Sequence, residues 1–375
     1  MRMLRKFPVV LCNFMKATKI KINLNALQAN LKQVRHYAGQ AKIWAMIKSD
    51  AYGHGLVPVA TALKDADAFG VATLDEAVTL RHAGIKQPII VLSRFDYTRD
   101  LPVFADHDLS LVIYHNEHLK MLANTPLKSP ITIWLKLDTG MHRLGIAAAE
   151  AKTAWQCLQE IPWVKKPVGI MSHWACADEA GHPDNEQQFK SFQQATHDLP
   201  GPKSMANSAL MLNYPQAVAD WVRSGIMLYG ASSIAGKLGR DLELTPVMTL
   251  SSYLLSVYRV KKGEKIGYSH TYTCPHDMTV GVVAIGYGDG YPRHAITGTP
   301  TWVNGTICPL LGRVSMDLIV IDLTAKPDAN LGDEVILWGP ELPVETVAEC
   351  AGTISFELLT HIGRRIKCID YCYDN

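Results

Sequence analysis

A lysine directly follows an apolar run in the stretch IWAMIKSDAYGHG, residues 43–55. The run, residues 43–47, has the length and composition typical of a buried parallel strand. Burial at the end of such a strand would lower the pKa of the Lys48 amine and suit it to Schiff-base chemistry. The alternative is that Lys48 has merely left the sheet and reached water. The stretch alone leaves both interpretations open.

Further polar side chains follow other apolar runs of the same kind. Lys136 and Arg143 lie at or after the end of one run, and His173 and Ser208 each follow another; Arg223, Gly225 and Ile226 lie around the last. The Ser208 hydroxyl and the main-chain N–H groups near Gly225 and Ile226 suit an anion. A lysine that faces a phosphate-binding corner is the arrangement of a pyridoxal-phosphate site.

The elements that must position these residues are eight short strands. After residues 43–47, apolar runs occur at residues 68–72, 89–92, 109–114, 131–137, 168–172, 203–206 and 225–228. Segments of helical period lie between most of them, such as residues 74–82, 116–122, 147–158 and 185–197. This alternation predicts a (β/α)8 barrel, whose functional groups lie at the carboxyl ends of its strands. A doubly wound open sheet is the alternative, but no GxGxxG follows the first strand.

The pattern changes near Pro246. Runs rich in β-forming residues occur at residues 249–260, 280–285, 301–303, 313–323 and 334–338, separated by turn pairs such as Asn304-Gly305. One short helix is predicted at residues 344–350. We therefore predict an N-terminal barrel over residues 17–245 and a mostly-β domain over residues 246–375. The early run at residues 20–24 lies outside the eight strands and is a candidate to pack with the second domain.

Nine motifs give the chain its resemblance to a known family. They are AMIKSDAYGHG, LKLDTGMHRLG, SHWACAD, ANSA, RSGIMLYG, IGYSHTY, IGYGDGYPR, GRVSMD and TISFELL, and they span Ala45 to Leu359. In this order they resemble the alanine racemases, which are fold-type III pyridoxal-phosphate enzymes. The resemblance implies a homodimer with shared active sites that interconverts L-alanine and D-alanine, for peptidoglycan synthesis or D-alanine breakdown.

The resemblance also implies two bases on opposite faces of the substrate. Lys48 would hold the cofactor and act as one base, and Tyr268 of a second subunit would act as the other. A phenol with an ordinary pKa near ~10 needs nearby cations to become a base, and His173 and Arg223 are the candidates. Arg223 would face the pyridine nitrogen and leave it unprotonated, because a guanidinium does not readily give up a proton.

The remaining implied roles concern the phosphate, the substrate carboxylate and the entrance. The phosphate would be held by Tyr52, Ser208, Gly225 and Ile226. The carboxylate would be held by Arg143 and by the main-chain N–H of Met316, near Asp317. Lys136, often carbamylated in the family, would brace Arg143, and Tyr287 would line the entrance. One position departs from the family, because Phe356 replaces a tyrosine that reaches the phosphate. We expect weaker cofactor retention or a looser gate.

Composition narrows the alternatives. The chain has 375 residues, a net charge of +2 and 19% charged residues, which argues against a nucleic-acid surface. Eight cysteines without a CxxC pair, and no HExxH, predict free thiols, no metal and a cytoplasmic protein. Residues 1–16 are expected to be a flexible extension and not a signal peptide, and no segment is expected to span a membrane. A decarboxylase of the same fold type and a non-catalytic pyridoxal-phosphate carrier remain as alternative functions.

Overall fold

A computed structural model describes residues 18–363 and 365–373. The chain divides into two compact units, with boundaries at Ile22/Asn23, Val247/Met248 and Tyr371/Cys372. The predicted extension at residues 1–16 lies outside the described residues. Within the described part, no helix combines the length and the apolar character needed to cross a membrane.

The first unit is a closed barrel of eight parallel strands. The barrel strands are β2 (Lys42–Met46), β3 (Ala68–Val71), β4 (Ile89–Val91), β5 (Leu109–Ile113), β6 (Ile131–Asp138), β8 (Val164–Met171), β9 (Lys203–Asn207) and β10 (Trp221–Ser224), and the short β7 (Ile146–Ala147) adds to β6. Pairing of β10 with β2 and of β5 with β6 closes the ring. The predicted (β/α)8 barrel is therefore confirmed.

Helices follow most of the barrel strands. They are α1 (Leu24–Ala38), α2 (Lys48–Gly53), α3 (Leu56–Ala62), α4 (Leu74–His82), α5 (Leu101–Asp106), α6 (Asn116–Ala123), α7 (Ala151–Glu160), α8 (Pro183–Thr196) and α9 (Ser208–Asn213). The period-based prediction of α4 is confirmed at both ends. A capping box explains its start, because Thr73 accepts a hydrogen bond from the Glu76 N–H and Glu76 accepts one from the Thr73 N–H.

The predicted eighth strand is wrong in position. Residues 225–228 contribute to a short 3₁₀ turn (Ile226–Tyr229), and the strand is Trp221–Ser224. An apolar run does not by itself distinguish a strand from another buried segment. The true strand contains Arg223, a charged residue that is only 5% exposed, so its sequence does not read as apolar.

The second unit is an antiparallel β domain. Its strands are β11 (Met248–Val260), β12 (Lys265–Ile266), β13 (Tyr272–Thr273), β14 (Met278–Val283), β15 (Pro300–Val303), β16 (Thr306–Leu311), β17 (Ile319–Asp322), β18 (Glu334–Trp338) and β19 (Cys368–Cys372), with α10 (Val344–Cys350) and α11 (Ser355–His361) near the end. The turn at Asn304-Gly305 joins β15 to β16 with positive φ at both residues, as its hairpin prediction required.

The early apolar run pairs with the β domain. It forms β1 (Lys19–Asn23), which lies antiparallel to β11, with Ile20 opposite Leu250. Ile20 and Ile22 are fully buried. The expectation that this run packs with the second domain is therefore confirmed.

Candidate active site

A left-handed turn begins after Lys48, at the carboxyl end of β2. Four consecutive residues other than glycine, Ser49, Asp50, Ala51 and Tyr52, have φ between 52° and 56°. Left-handed backbone costs an L-residue roughly 1–2 kcal/mol, because the β-carbon crowds the following carbonyl oxygen. A run of four must therefore be held by its surroundings, and such strain is typical of functional sites.

Side chains from both sides hold this turn. Asp50 accepts a hydrogen bond from the Leu56 N–H at 2.7 Å, and Glu76 accepts one from the Asp50 N–H at 3.3 Å. His54 Nδ1 lies 2.9 Å from the Tyr52 carbonyl oxygen. Because a carbonyl only accepts, the imidazole proton is on Nδ1, and burial lowers the pKa of His54 to about 4. Sequence reasoning missed Glu76 and His54 as supports of the turn, although His54 lies inside the first motif.

Charged side chains lie around the Lys48 amine, namely Arg143, Arg223 and the carboxylate of Glu76. Burial, and then the charge of Arg143, lower the pKa of Lys48. Burial, together with the charges of Arg223, Arg143 and Lys48, lowers the pKa of Lys136 to about 8. The fold thus brings these four predicted residues together at the carboxyl ends of the barrel strands, with Arg143 exposed and the others partly or fully buried. Lys48 is half-buried, which favours the first interpretation of this lysine over one that has merely reached water.

Arg223 is anchored from the neighbouring strands. Its Nη1 donates to the carbonyl and the hydroxyl of Ser204 at 2.9 and 2.7 Å. Its Nη2 donates to the Ser172 and Met205 carbonyls at 2.6 and 3.0 Å and to His173 Nδ1 at 3.2 Å. None of these five bonds uses Nε. Burial lowers the pKa of Arg223 to about 10, so the guanidinium stays charged at neutral pH.

His173 is a neutral group and not the cation that the sequence analysis expected. Burial, and then the charge of Arg223, lower the pKa of His173 well below 6.5. Because a guanidinium only donates, Nδ1 accepts from Arg223 and the imidazole proton is on Nε2. His173 therefore offers one N–H donor, which is Nε2–H.

The predicted phosphate corner is assembled around Gly225. The Gly225 N–H donates to the Ser208 hydroxyl oxygen at 3.1 Å. A β-carbon built on Gly225 would lie 2.5 Å from the Tyr52 hydroxyl, so the phenol packs directly on the glycine. Among the residues that the structure describes, neither the Ser208 hydroxyl proton nor the Ile226 N–H has an acceptor. Two donors are thus available to an anion.

Tyr229 supports this corner and was not predicted as a site residue. Its ring stacks on Tyr52 at 4.7 Å between centroids and lies 4.6 Å from His54. Its hydroxyl donates to the carbonyl of Met46 at 2.9 Å, and Met46 ends β2 two residues before Lys48. Its place in the motif RSGIMLYG was the only signal in the sequence.

The β domain carries the other predicted residues, and Tyr268 lies in a tight turn there. Tyr268 is 67% exposed. The next residue, Ser269, has φ 57°, and its hydroxyl oxygen accepts a hydrogen bond from Arg313 Nη1 at 3.1 Å. Arg313, in the motif GRVSMD, thus fixes the turn that presents Tyr268, a role that the sequence analysis did not assign.

Met316, Asp317 and Tyr287 lie close together on the same domain. The Tyr287 N–H donates to the Ser315 carbonyl at 3.0 Å. Arg365 clamps the two segments, since its Nη2 donates to Asp317 Oδ1 at 2.8 Å and its Nε lies 3.4 Å from Asp289 Oδ1. Met316 and Tyr287 are 53% and 40% exposed. Phe356 lies half-buried in α11.

Comparisons with known proteins agree on one family. A family model described as "Alanine racemase, N-terminal domain" matches residues 22–233, and one described as "Alanine racemase, C-terminal domain" matches residues 247–369. A protein of Coxiella burnetii named "Alanine racemase" is 48% identical over 354 residues, with 93% of this chain and 97% of that protein covered. One of Shewanella loihica with the same name is 45% identical at the same coverage.

Solved structures are similar over nearly the whole chain. The biosynthetic alanine racemase of Pseudomonas aeruginosa has a TM-score of 0.92 and 39% identity, with 96% of this chain and 100% of that chain covered. The alanine racemase of Acinetobacter baumannii has a TM-score of 0.89 and 36% identity, with the same coverage.

Proposed function

The chain belongs to the alanine racemase family, and we propose that it is an isomerase that interconverts L-alanine and D-alanine with pyridoxal 5′-phosphate as cofactor. The observation that carries this proposal is the largely buried Lys48 amine, whose pKa is lowered among the positive charges of Arg143 and Arg223. Lowering this pKa increases the fraction of the amine that is neutral, which is the form that can make an imine and accept a proton.

The described residues fit the cofactor. Lys48, Lys136 and Arg223 concentrate positive charge in a largely buried region, which suits an anionic ligand. The Ser208 hydroxyl and the Ile226 N–H are donors without acceptors among the described residues, as a phosphate requires. The Arg223 Nε–H has no acceptor among the described residues and would be a donor for a ring nitrogen that carries no proton.

When bound, pyridoxal phosphate condenses with the amino group of an amino acid and acidifies the hydrogen on its α-carbon. Lys48 would hold the cofactor through its amine at rest, and it would remove or return the α-proton on one face of the substrate. Its lowered pKa increases the neutral fraction that this role needs. Tyr268 of a second copy of the chain would serve the opposite face, consistent with its exposure on the β domain.

The substrate carboxylate would be bound by Arg143 and by the Met316 N–H, with Asp317 beside them and Tyr287 at the entrance. Arg365 would keep the Met316 segment in place through Asp317. Lys136 would brace Arg143. Its pKa of about 8 leaves part of the amine neutral near pH 7.5, so it can react with carbon dioxide to form a carbamate.

We also propose a homodimer, because the two predicted bases lie in different units and Tyr268, Tyr287 and Met316 are exposed on the β domain. D-alanine would serve peptidoglycan synthesis or be broken down after the reverse reaction, and the protein would act in the cytoplasm. Without a hydroxyl at Phe356, we expect the cofactor to be held less tightly than by Phe356→Tyr. A hydrogen bond to a charged group contributes about 1.5–3 kcal/mol.

The test is hydrogen exchange in deuterated water. Purified protein with pyridoxal phosphate is incubated with L-alanine and with a panel of other L-amino acids. A racemase exchanges the α-proton and produces D-alanine, a decarboxylase releases carbon dioxide, and a carrier does neither. Borohydride should attach the cofactor to Lys48, as peptide mapping would show. Exchange of the α-proton without D-alanine would contradict the two-base proposal. Lys48→Arg and Tyr268→Phe should each slow racemisation in both directions, because each base removes the proton in one direction and returns it in the other.

A further inference from the structure

Three different metal-ligand side chains meet in the loop that follows β8. Cys176, His182 and Asp184 each offer one ligand atom, and these atoms all lie within 4.8 Å of one another. Cys176 and His182 are half-buried, and Asp184 is exposed. None of them takes part in the site proposed above, and their spacing along the chain, C-x5-H-x-D, matches no zinc motif considered in the sequence analysis.

The loop is held in shape mainly by residues outside the cluster, and His182 Nδ1 also accepts a hydrogen bond from the Asp184 N–H at 3.3 Å. Asn185 Nδ2 donates to the Cys176 carbonyl at 2.8 Å and to the Glu179 carbonyl at 3.1 Å. Asn213 Nδ2 donates to the Ala177 carbonyl at 2.9 Å, and Tyr214 accepts from the Gly181 N–H at 2.9 Å. Such supports fix ligands before an ion binds and reduce the ordering that binding requires.

The surroundings of the cluster favour a cation. The carboxylates of Glu179, Asp184 and Asp178 place negative charge near the Cys176 thiol. Asn185 is fully buried, and its Oδ1 has no hydrogen-bond donor among the described residues. A water molecule bound to an ion is a donor that could meet this acceptor. The N-terminus of α8 opposes a cation, but its effect is small beside a metal–thiolate bond.

We propose that Cys176, His182 and Asp184 bind one divalent transition-metal ion of the Zn²⁺ type, with water completing the coordination. A thiolate with an imidazole and a carboxylate selects a borderline-soft ion such as Zn²⁺ and disfavours Mg²⁺ and Ca²⁺, which require oxygen ligands. On binding, the Cys176 S–H bond breaks, a metal–sulfur bond forms and the proton goes to solvent; nothing is oxidised or reduced. The bound ion would hold the loop that begins three residues after His173.

The experiment is equilibrium dialysis of the holoenzyme against buffered Zn²⁺, with the bound metal measured by elemental analysis. The unchanged chain should take up one saturable equivalent per chain. Cys176→Ser and His182→Ala should each weaken this binding by at least tenfold, and Asp184→Asn should weaken it less, because the amide oxygen keeps a ligand atom. Thermal unfolding in a chelator shows whether each variant is folded.

Two matched controls come from the same unit. Cys157→Ser removes another free cysteine, which is exposed on α7. His197→Ala removes a histidine that lies 2.9 Å from Asp198 but has no cysteine in a described ligand cluster. Both should keep the full equivalent. The proposal is wrong if no saturable equivalent exists, or if folded Cys176→Ser and His182→Ala bind Zn²⁺ as tightly as the controls. Neither result depends on racemase activity.

Discussion

Adding a single methyl group at Gly225 tests how the predicted phosphate corner is built. In Gly225→Ala the new carbon would lie 2.5 Å from the Tyr52 hydroxyl and 3.1 Å from the ring carbon that carries it. Gly225 has φ −119° and ψ −92°, and this ψ lies outside the α and β regions that alanine prefers, so backbone strain adds to the steric conflict. Tyr52 is 6% exposed and stacks on Tyr229, so it has little room to retreat.

Overpacking of this kind costs about 1–3 kcal/mol. For a unit of this size, each kcal/mol lowers Tm by roughly 2–4 °C. Tyr52→Phe removes the oxygen at 2.5 Å and leaves the 3.1 Å contact, which a shift of a few tenths of an ångström relieves. The double variant should therefore be more stable than the sum of the two single changes predicts, with a coupling energy of about 1 kcal/mol or more.

The assay is chemical unfolding of both single variants and the double variant, with cofactor dissociation measured in parallel. Gly225→Ala should also release pyridoxal phosphate faster, because Tyr52 and the neighbouring donors move. Ser224→Ala is the matched control one residue away. Its buried hydroxyl has no partner among the described residues, so its loss should change stability little. Additivity of the two changes within ~0.3–0.5 kcal/mol would refute the close contact.

Three further predictions follow from the same geometry. Ser49→Gly should stabilise the protein by about 1 kcal/mol in the same unfolding assay, because glycine accepts φ 56° without strain. As a control, Lys32→Gly in the helix α1 should destabilise the protein by about the same amount. His173 is neutral when folded and titrates near 6.5 when unfolded, so stability should fall as pH drops below about 6.5; His173→Gln should lose less stability between pH 6.5 and 5 in urea unfolding. Arg365→Gln should raise KM for alanine more than it lowers kcat, because the segment carrying Met316 loses its ionic anchor; an unchanged KM would exclude this positioning role.

The barrel could be predicted because its signals are local. Short apolar runs and helical periods repeat along residues 43–224, and each run reports the burial of its own segment. The same reasoning placed the eighth strand on residues 225–228, because burial of Arg223 depends on acceptors from other parts of the barrel, such as Ser204 on β9 and Ser172 just after β8. A buried charge with distant partners leaves no local apolar signal.

The left-handed turn after Lys48 shows the same limit. None of Ser49, Asp50, Ala51 and Tyr52 prefers positive φ strongly enough to predict four such residues in a row. The turn is maintained by Glu76 from α4, by its own residue Asp50 and by His54, which follows it. Sequence reasoning could identify the motif but not its backbone.

By itself, the sequence determined which side chains end the strands, the order of the motifs and the resemblance to a family, because these depend on neighbouring residues. Only the tertiary structure decided that His173 is neutral, that the Tyr52 phenol packs on Gly225, and that Cys176 meets His182 and Asp184. Desolvation, steric contact and the distances between ligand atoms depend on how separate segments pack. Residue types and their spacing along the chain do not show this packing.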